Sequence, residues 1–381
     1  MAIASLFGAI SYPKGTHPPD FPPTADGDYA RRYLTPIMNR GTETFIRNVH
    51  NTQLMLARVD DVILPVSATD FHLDNTYTVS PFSHYISYGG FEEVQRLNNP
   101  PVEWLIKLLL RPLASYFRHS DFDRTALVNN WLVSTNLYPS ITATQLEVLA
   151  EALPKWFPDR AVIFRSVDRF RNPMLFDVLG RLGYEMMLSR QVWYLDPAHG
   201  LSLKVHREDM RAIRKNGHAP SDELRDDEIG RCLRLYEMLY LEKYSHFNPQ
   251  FTEDFIRLAR DEKLLKIKTL RRDGQINAVM GYIERNGVMT PPLYGYDTSL
   301  PQETALYRHL TVMTMQEALE KKLLLHDSAG VGKFKKKRGA QSAIEYNAVY
   351  TKHLPMRRQR PWELVKAISK IAIPYFQKND L

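Results

Sequence analysis

LKIKTLRRDGQINAVMGYIERNGV, residues 265–288, contains two tight-turn signals between segments rich in β-branched and other apolar residues. Asp273-Gly274 and Asn286-Gly287 are dipeptides that adopt positive φ readily, so each favours a two-residue hairpin. The stretch that follows, MTPPLYGYD (289–297), continues the strand pattern. We therefore predict three consecutive antiparallel strands in the second half of the chain.

The elements around these strands occur in the same order in both halves of the chain. In the second half, MTPPLYGYD is followed by the helical ALYRHLTVMTMQEALEKK, the strand LLLHD, a short basic helix ending at Gly339, and the strand SAIEYNAVYT. In the first half, NNWLVST, TATQLEVLAEALPKWF, RAVIFRSV, a helix ending near Gly183 and MMLSRQVWYLD repeat that order. This repeated order of elements predicts two copies of one mixed α/β unit. Two unrelated α/β halves are the alternative.

Length and composition agree with two packed domains. The chain has 381 residues, of which 44% are hydrophobic and 11% aromatic, which is a globular composition. We predict the following segments: an extended N-terminal arm (1–41), an N-terminal domain (42–199), a C-terminal domain (200–355), and a basic amphipathic C-terminal helix (356–381).

The net charge of +7 favours acidic partners such as phosphates, CoA, carrier proteins, RNA or an anionic membrane surface. A solvated basic surface is the alternative. In the basic segment 357–378, we place Trp362, Val365, Ile368 and Ile371 on one apolar stripe. That stripe predicts docking on the protein's own core or, alternatively, peripheral contact with a membrane surface.

Several functional classes are disfavoured. With Cys232 as the one cysteine, no disulfide framework or cysteine metal cluster is possible, and the 12 histidines lack metal-ligand spacing. We therefore expect no metal. No run of 18 apolar residues occurs and no positively charged segment precedes the apolar N-terminal run, so we expect a cytoplasmic protein.

The run DSAGVGKFKKKRGA (327–340) contains Gly332-Lys333 but is not a phosphate-binding P-loop. A P-loop needs glycine where Asp327 lies and Ser or Thr where Phe334 lies. Nucleic-acid binding as the sole function is disfavoured too, because only Phe334 interleaves with the basic side chains.

The element order and the segments FKKKRGA and LGRLGY resemble those of the GNAT acyltransferases. The second half also resembles the GNAT-like domain of Fem-type transferases and of the cellulose-biosynthesis-associated acetyltransferase-like group. The resemblance covers roughly 200–352 and, more loosely, 42–196. It implies a mixed α/β fold of two tandem GNAT-like domains, each with a central mixed sheet flanked by helices.

The resemblance implies an N-acyltransferase that moves an acyl group from a thioester donor, CoA or acyl-carrier protein, to an amine, with no other cofactor. One departure concerns the donor: YDTSLPQETALYRHL lacks the glycine-rich turn with which many GNAT enzymes hold the CoA pyrophosphate. Fem-type relatives lack that turn and take their acyl group from aminoacyl-tRNA. Two alternatives are therefore an aminoacyl-tRNA-dependent transferase, with tRNA as a partner, and a non-catalytic GNAT-like binding module.

The same resemblance assigns candidate site residues to the second half. The proton of the amine must go to a base, and the leaving group needs a proton or a positive field. Neighbouring strand residues point to opposite faces, so one of His326 and Asp327 is expected to line the site unless the strand end bulges. The candidates are Asp327, His326, Tyr296 and Tyr294 for catalysis; Lys333, Lys335, Lys336 and Arg338 for donor phosphates; and Tyr244, His246 and Asn248 for the acceptor.

Overall fold

The computed structural model describes residues 4–8, 21–92 and 100–379, and the chain divides into two compact units. Unit 1 comprises Met1–Ser189, Ser245–Gln250 and Tyr346–Ile373, and unit 2 comprises Arg190–Tyr244, Phe251–Glu345 and Pro374–Leu381. Each unit is made of three separate segments of the chain. The predicted domain boundaries at 41/42, 199/200 and 355/356 stay a prediction.

Unit 1 contains a mixed sheet whose order begins β1-β2-β3-β4-β5, antiparallel except for the parallel pair β4 and β5. The strands are β1 (Ala4–Gly8), β2 (Thr52–Val59), β3 (Val62–Thr69), β4 (Thr125–Val128), β5 (Ala161–Asp168) and the start of β6 (Glu185–Leu195). The helices are α1 (Ala25–Arg40), α2 (Thr42–Phe45), a π-helix (Ser83–Glu92), α3 (Pro100–His119), α4 (Ala143–Trp156) and α5 (Pro173–Arg181).

Unit 2 contains the end of β6 and then β11, β10, β9, β8 and β7 in that order. Its strands are β7 (Ala219–Ser221), β8 (Lys266–Arg272), β9 (Gln275–Arg285), β10 (Val288–Tyr296), β11 (Leu324–His326) and the start of β12 (Gln341–Tyr350). Its helices are α6 (Pro197–Ser202), α7 (Lys204–Asn216), α8 (Ile229–Glu237), a π-helix (Met238–Tyr244), α9 (Glu253–Asp261), α10 (Leu306–Glu320) and α11 (Gly332–Lys337). The last helix of the chain, α12 (Met356–Asn379), begins in unit 1.

The predicted fold class, mixed α/β with a mixed sheet flanked by helices, is confirmed. In unit 1 the strands are buried on both faces: Ala126 and Val128 join the cluster that contains α4 and α5, whereas Leu127 joins the cluster of Phe117 and Trp362. This alternation follows from the two-residue period of a strand. Both halves of the chain also show the predicted order of strand, helix, strand, short helix and strand, as β4, α4, β5, α5, β6 and as β10, α10, β11, α11, β12.

The two hairpin turns of unit 2 are confirmed. Asp273 and Gly274 have φ of 52° and 77°, and Asn286 and Gly287 have φ of 48° and 75°. These values are those of type I′ turns, which match the twist of the flanking strands. The Cys232 thiol is buried, and burial raises its pKa to about 12.

One predicted segment was wrong. Residues 25–40, assigned to an extended arm, form α1, whose first turn is capped because the Thr24 hydroxyl accepts a hydrogen bond from Gly27 N–H. The rest of that arm at 9–20 lies outside the described residues. The proline at 112 does not break α3, since Pro112 lies on the exposed side of the helix, where water can solvate the freed carbonyl.

Residues 77–88 are rich in aromatic and β-branched side chains, which favour a strand, but the π-helix begins within this segment. The buried Asp123 carboxylate accepts hydrogen bonds from Ser80 Oγ at 2.5 Å and from Phe82 N–H at 2.6 Å. These bonds satisfy groups at the start of the helix, so a contact distant in sequence overrides the β propensity of the segment.

Candidate functional site

The strands β10 and β11 of unit 2 separate after a short parallel pairing. They pair at Val288 with Leu324 and at Met289 with Leu325. Pro291 and Pro292 follow, and the register of β10 against β9 shifts at this point. Proline has no N–H to donate to a ladder, so these two residues favour the separation. The second half of β10 and the end of β11 therefore border an opening.

The end of β11 contains a bulge. Asp327 N–H donates to Trp193 O at 2.8 Å, whereas Trp193 N–H donates to Ser328 O at 3.0 Å, so two residues oppose one. Ser328 has φ of 52°, in the left-handed region. The strand end therefore bulges after His326, at Asp327 and Ser328.

Asp327 lies beside the tyrosines of β10 and α10. Its charge contributes to raising the pKa of Tyr294 and of Tyr307, although burial is the larger cause for both. Burial also raises the pKa of the Asp327 carboxyl, with partial compensation by Lys335 and Arg338. A half-buried carboxylate with a raised pKa is the kind of group that serves as a general base.

Tyr307 is the centre of an aromatic cluster that the sequence analysis missed. Its ring centroid lies 5.9 Å from that of Tyr294, 6.0 Å from that of Tyr296 and 4.9 Å from that of Phe334. Lys243 Nζ lies 3.2 Å from Tyr296 Oη, and this hydrogen bond is the main cause that raises the pKa of Lys243. The signal that could have found Tyr307 is its place in the first turn of the helix after β10.

His326 lies on the other face of the sheet from this cluster. It is buried, its ring is 4.6 Å from that of Tyr194, and its Nδ1 accepts a hydrogen bond from Ser328 N–H at 3.1 Å. Burial lowers the pKa of His326 to about 4. The structure therefore does not bring His326 together with Tyr294 and Tyr296.

We expect His326 to make stability depend on pH. Its pKa is about 4 in the folded state against 6.5 ordinarily, so the unfolded chain binds the proton more readily. Stability is then fully present above pH 6.5 and is lost as pH falls toward 4, with a limiting slope of about 1.4 kcal/mol per pH unit. Chemical denaturation at several pH values should show a slope that is smaller in His326→Phe than in the wild type by about 1.4 kcal/mol per pH unit between pH 4 and 6.5. Parallel curves for the two proteins would contradict the assignment.

The four predicted phosphate-binding cations divide into two kinds. Lys335 is buried, and its ammonium donates to the backbone carbonyls of Asp327, Ser328 and Ala329. These carbonyls occupy the three donors of an ammonium group, so Lys335 holds the loop after β11. Arg338 is also buried.

Arg338 makes two hydrogen bonds of 2.8 Å to the Asp209 carboxylate, and its guanidinium lies 3.3 Å from the Phe334 ring centroid. Lys333 and Lys336 are exposed on α11.

The three predicted acceptor residues fall in different units. Tyr244 ends the π-helix of unit 2, with its ring 5.9 Å from that of Tyr240. His246 and Asn248 belong to unit 1, where Asn48 Nδ2 donates to Asn248 O at 2.9 Å. Of the three, only Tyr244 belongs to unit 2, which also contains the cluster around Tyr307.

The loop between β10 and α10 makes a glycine-like turn without glycine. Ala305, the residue before α10, has φ of 54°. The loop is anchored by the Asp297 carboxylate, which accepts hydrogen bonds from Arg231 at 2.7 Å and from Ser299. An alanine therefore takes the left-handed conformation that usually selects glycine.

Two buried side chains on β6 have polar atoms without a hydrogen-bond partner. They are both amide atoms of Gln191 and the indole Nε1 of Trp193. Residues two apart on a strand point to the same face, and Trp193 lies opposite the Asp327 bulge. Buried polar groups are usually paired, and these three atoms are among the exceptions in the described residues.

Replacing Gln191 by Met is expected to stabilise the protein. The change removes an unpaired buried amide, so we expect the free energy of unfolding to rise by about 1–2 kcal/mol. Gln302→Met, at an exposed position, is the matched control and should change it by less than about 0.5 kcal/mol. Urea titration measures both. A large loss of stability in Gln191→Met would show that the amide is already satisfied.

Unit 1 contains a separate cavity of about 570 Å³. Its lining includes Thr42, Asn51, Asp70 and Arg160. Arg160 hydrogen-bonds to both carboxylate oxygens of Asp70, at 3.2 and 2.8 Å, so these two charges neutralise each other. Among the described residues, no three His, Cys, Asp or Glu side chains are grouped to hold a metal ion.

Comparison with known proteins gives the class of the second unit. Residues 204–335 match the family model described as an acetyltransferase (GNAT) domain. This segment of unit 2 is therefore similar to GNAT domains, and the predicted resemblance to the GNAT superfamily is confirmed for residues 204–335. No curated protein matches the chain significantly.

Solved structures that match this chain include the following three. One is the C-terminal domain of a putative lysylphosphatidylglycerol synthetase from Agrobacterium fabrum, with 15% identity, a TM-score of 0.45, and coverage of 64% of this chain and 82% of that chain. FemX has 9% identity, a TM-score of 0.46 and coverage of 64% and 83%. A tandem GNAT protein from the clavulanic acid biosynthesis pathway has 9% identity, a TM-score of 0.39 and coverage of 93% and 99%.

Proposed function

We propose that unit 2 is an N-acyltransferase that transfers an acyl group from a thioester, on CoA or an acyl-carrier protein, to an amine. The observation that carries the proposal is the position of Asp327. Its carboxylate lies at the bulged end of β11, beside Tyr294 and Tyr307, in the segment that is similar to GNAT domains.

The residues around Asp327 suit the proton transfers of such a reaction. The Asp327 carboxylate takes a proton from the attacking amine, the nitrogen bonds to the acyl carbon, and the C–S bond breaks. The leaving thiolate takes a proton from the Tyr296 hydroxyl, and solvent then returns a proton to Tyr296 and removes the one held by Asp327. The Lys243 ammonium beside Tyr296 supplies a positive field at the leaving group.

Tyr294 has a different part in the proposal. Burial raises its pKa far above the ordinary tyrosine value, so its hydroxyl stays protonated. It therefore acts as a hydrogen-bond donor and not as an acid. Gln191 and Trp193 supply further polar atoms on the same face, suited to an amide or carbonyl group of a substrate.

The donor's phosphates are bound, in this proposal, by Lys333 and Lys336 at the exposed side of α11. The same two charges suit the backbone of an aminoacyl-tRNA, whose ester would leave as a hydroxyl rather than a thiol. Tyr244 is the candidate acceptor contact in unit 2, and the cytoplasmic location and the roles of His246 and Asn248 stay predictions.

A donor panel tests the proposal. Purified protein is incubated with acyl-CoAs, acyl-carrier proteins and charged tRNA, each with an amine library, and new amides are identified by mass spectrometry. Amide formed from thioesters supports the proposal, and amide formed only from charged tRNA shows the aminoacyl transferase instead. If no donor gives an amide while the protein binds a donor, unit 2 is a binding module.

A further inference from the structure

Helix α12 carries two apolar faces. Trp362 and Val365, 2% and 4% exposed, pack into a unit 1 core cluster. Leu364, Ile368 and Ile371 are 36%, 49% and 79% exposed. The prediction of one stripe from Trp362 to Ile371 was therefore wrong. A spacing of three residues turns about 60° short of a full helical turn, so the residues drift around the helix.

The exposed face is a stripe with basic ends. Leu364, Ile368 and Ile371 fall within about 60° of one another around the helix, and Trp362 is about 150° away from them. Arg357 and Arg360 lie on the same side before the stripe, and Lys378 lies on it afterwards; all three are exposed. Arg357 also contacts Asp121 at 3.2 Å, but both side chains are exposed, so the pair is weak.

Exposed apolar side chains are concentrated on two helices. Of the thirteen large ones among the described residues, three lie on α3 and five on α12. On α3, Trp104 and Leu108 share a face with the exposed Arg111. Tryptophan next to basic residues is typical of segments at the boundary between lipid and water.

We infer that the Leu364–Ile368–Ile371 face of α12 docks on the surface of an anionic lipid bilayer. An apolar stripe between basic side chains matches acyl chains beneath acidic headgroups, because the stripe enters the boundary while the cations pair with the lipids. The net charge of +7 acts in the same direction. None of the helices among the described residues has the length and apolarity to cross a bilayer, so the contact is with the surface.

This inference is independent of the acyl-transfer proposal, and vesicle sedimentation tests it. The full chain is mixed with phosphatidylcholine vesicles with and without phosphatidylglycerol, at low and high salt. We expect binding to the anionic vesicles that weakens with salt. Ile368→Glu combined with Ile371→Glu should lower that binding at least about tenfold, because the apolar contact is lost.

Leu319→Glu, an exposed leucine on α10 of unit 2, is the matched control and should bind like the wild type. Ile371→Asn alone, at a side chain that is 79% exposed, gives a second variant that cannot disturb the core. Equal binding by wild type and stripe variants overturns the inference, as does equal binding to neutral vesicles. Concentration-dependent dimers that the stripe variants abolish, without vesicle binding, would assign the face to a second copy of the chain.

Discussion

Replacing Asp327 by Asn is expected to lower kcat/KM for acyl transfer by about a hundredfold to ten-thousandfold. Asparagine keeps the size of the side chain but cannot take the proton of the amine. The wild-type rate should fall as pH drops through the pKa of Asp327, which burial raises above the ordinary value of 3.8. The variant should lack this acidic limb. The rate is measured as amide formed, over a range of pH, with whichever donor proves active.

Asp273→Asn is the control for this change. Asp273 lies in an exposed hairpin turn of the same unit, and Asn-Gly forms that turn as well as Asp-Gly does. We expect its rate to equal that of the wild type. If Asp327→Asn keeps the wild-type rate and pH profile while folding normally, another group takes the proton and the assignment of Asp327 fails.

Replacing Asp209 by Ala is expected to lower the free energy of unfolding by about 3–5 kcal/mol. Asp209 and Arg338 are both buried, and they are joined by two hydrogen bonds of 2.8 Å. Removal of the carboxylate leaves the guanidinium buried without its counter-charge. Denaturant titration followed by tryptophan fluorescence measures the change.

The neighbouring residue provides a matched control. Glu208 pairs with Lys337 at 3.7 Å, and both side chains are exposed, so Glu208→Ala should cost less than about 1 kcal/mol. The double variant Asp209→Leu with Arg338→Met should recover most of the loss, because it removes both buried charges. An equal effect of Asp209→Ala and Glu208→Ala would show that burial of the pair adds nothing.

Much of the fold could be predicted because its signals are local. The turns at Asp273-Gly274 and Asn286-Gly287 require positive φ, which these residue types supply wherever they occur. The Thr252 hydroxyl caps α9 by accepting a hydrogen bond from Phe255 N–H, and threonine is a preferred residue at that position of a helix. The equivalence of the two halves followed from the order of such elements.

The candidate site was predicted in part. Tyr294 and Tyr296 could be placed on one face because strand residues alternate, and Asp327 could be placed at a strand end. Tyr307 could not be placed with them, because it meets them only where α10 crosses β10. The place of Ser80 in a helix start likewise depends on Asp123, 43 residues away in sequence.

The sequence by itself determined the hairpin turns and the strand alternation, since each depends on neighbours within a few residues. Only the tertiary structure decided which charges are solvated and which apolar faces are covered. Lys333 and Lys335 are two residues apart in one basic run, yet one is exposed and the other is buried among backbone carbonyls. Trp362 and Ile371 have the same apolar character, yet one is in the core and the other faces solvent. Burial depends on what packs against a residue, and that partner comes from a distant part of the chain.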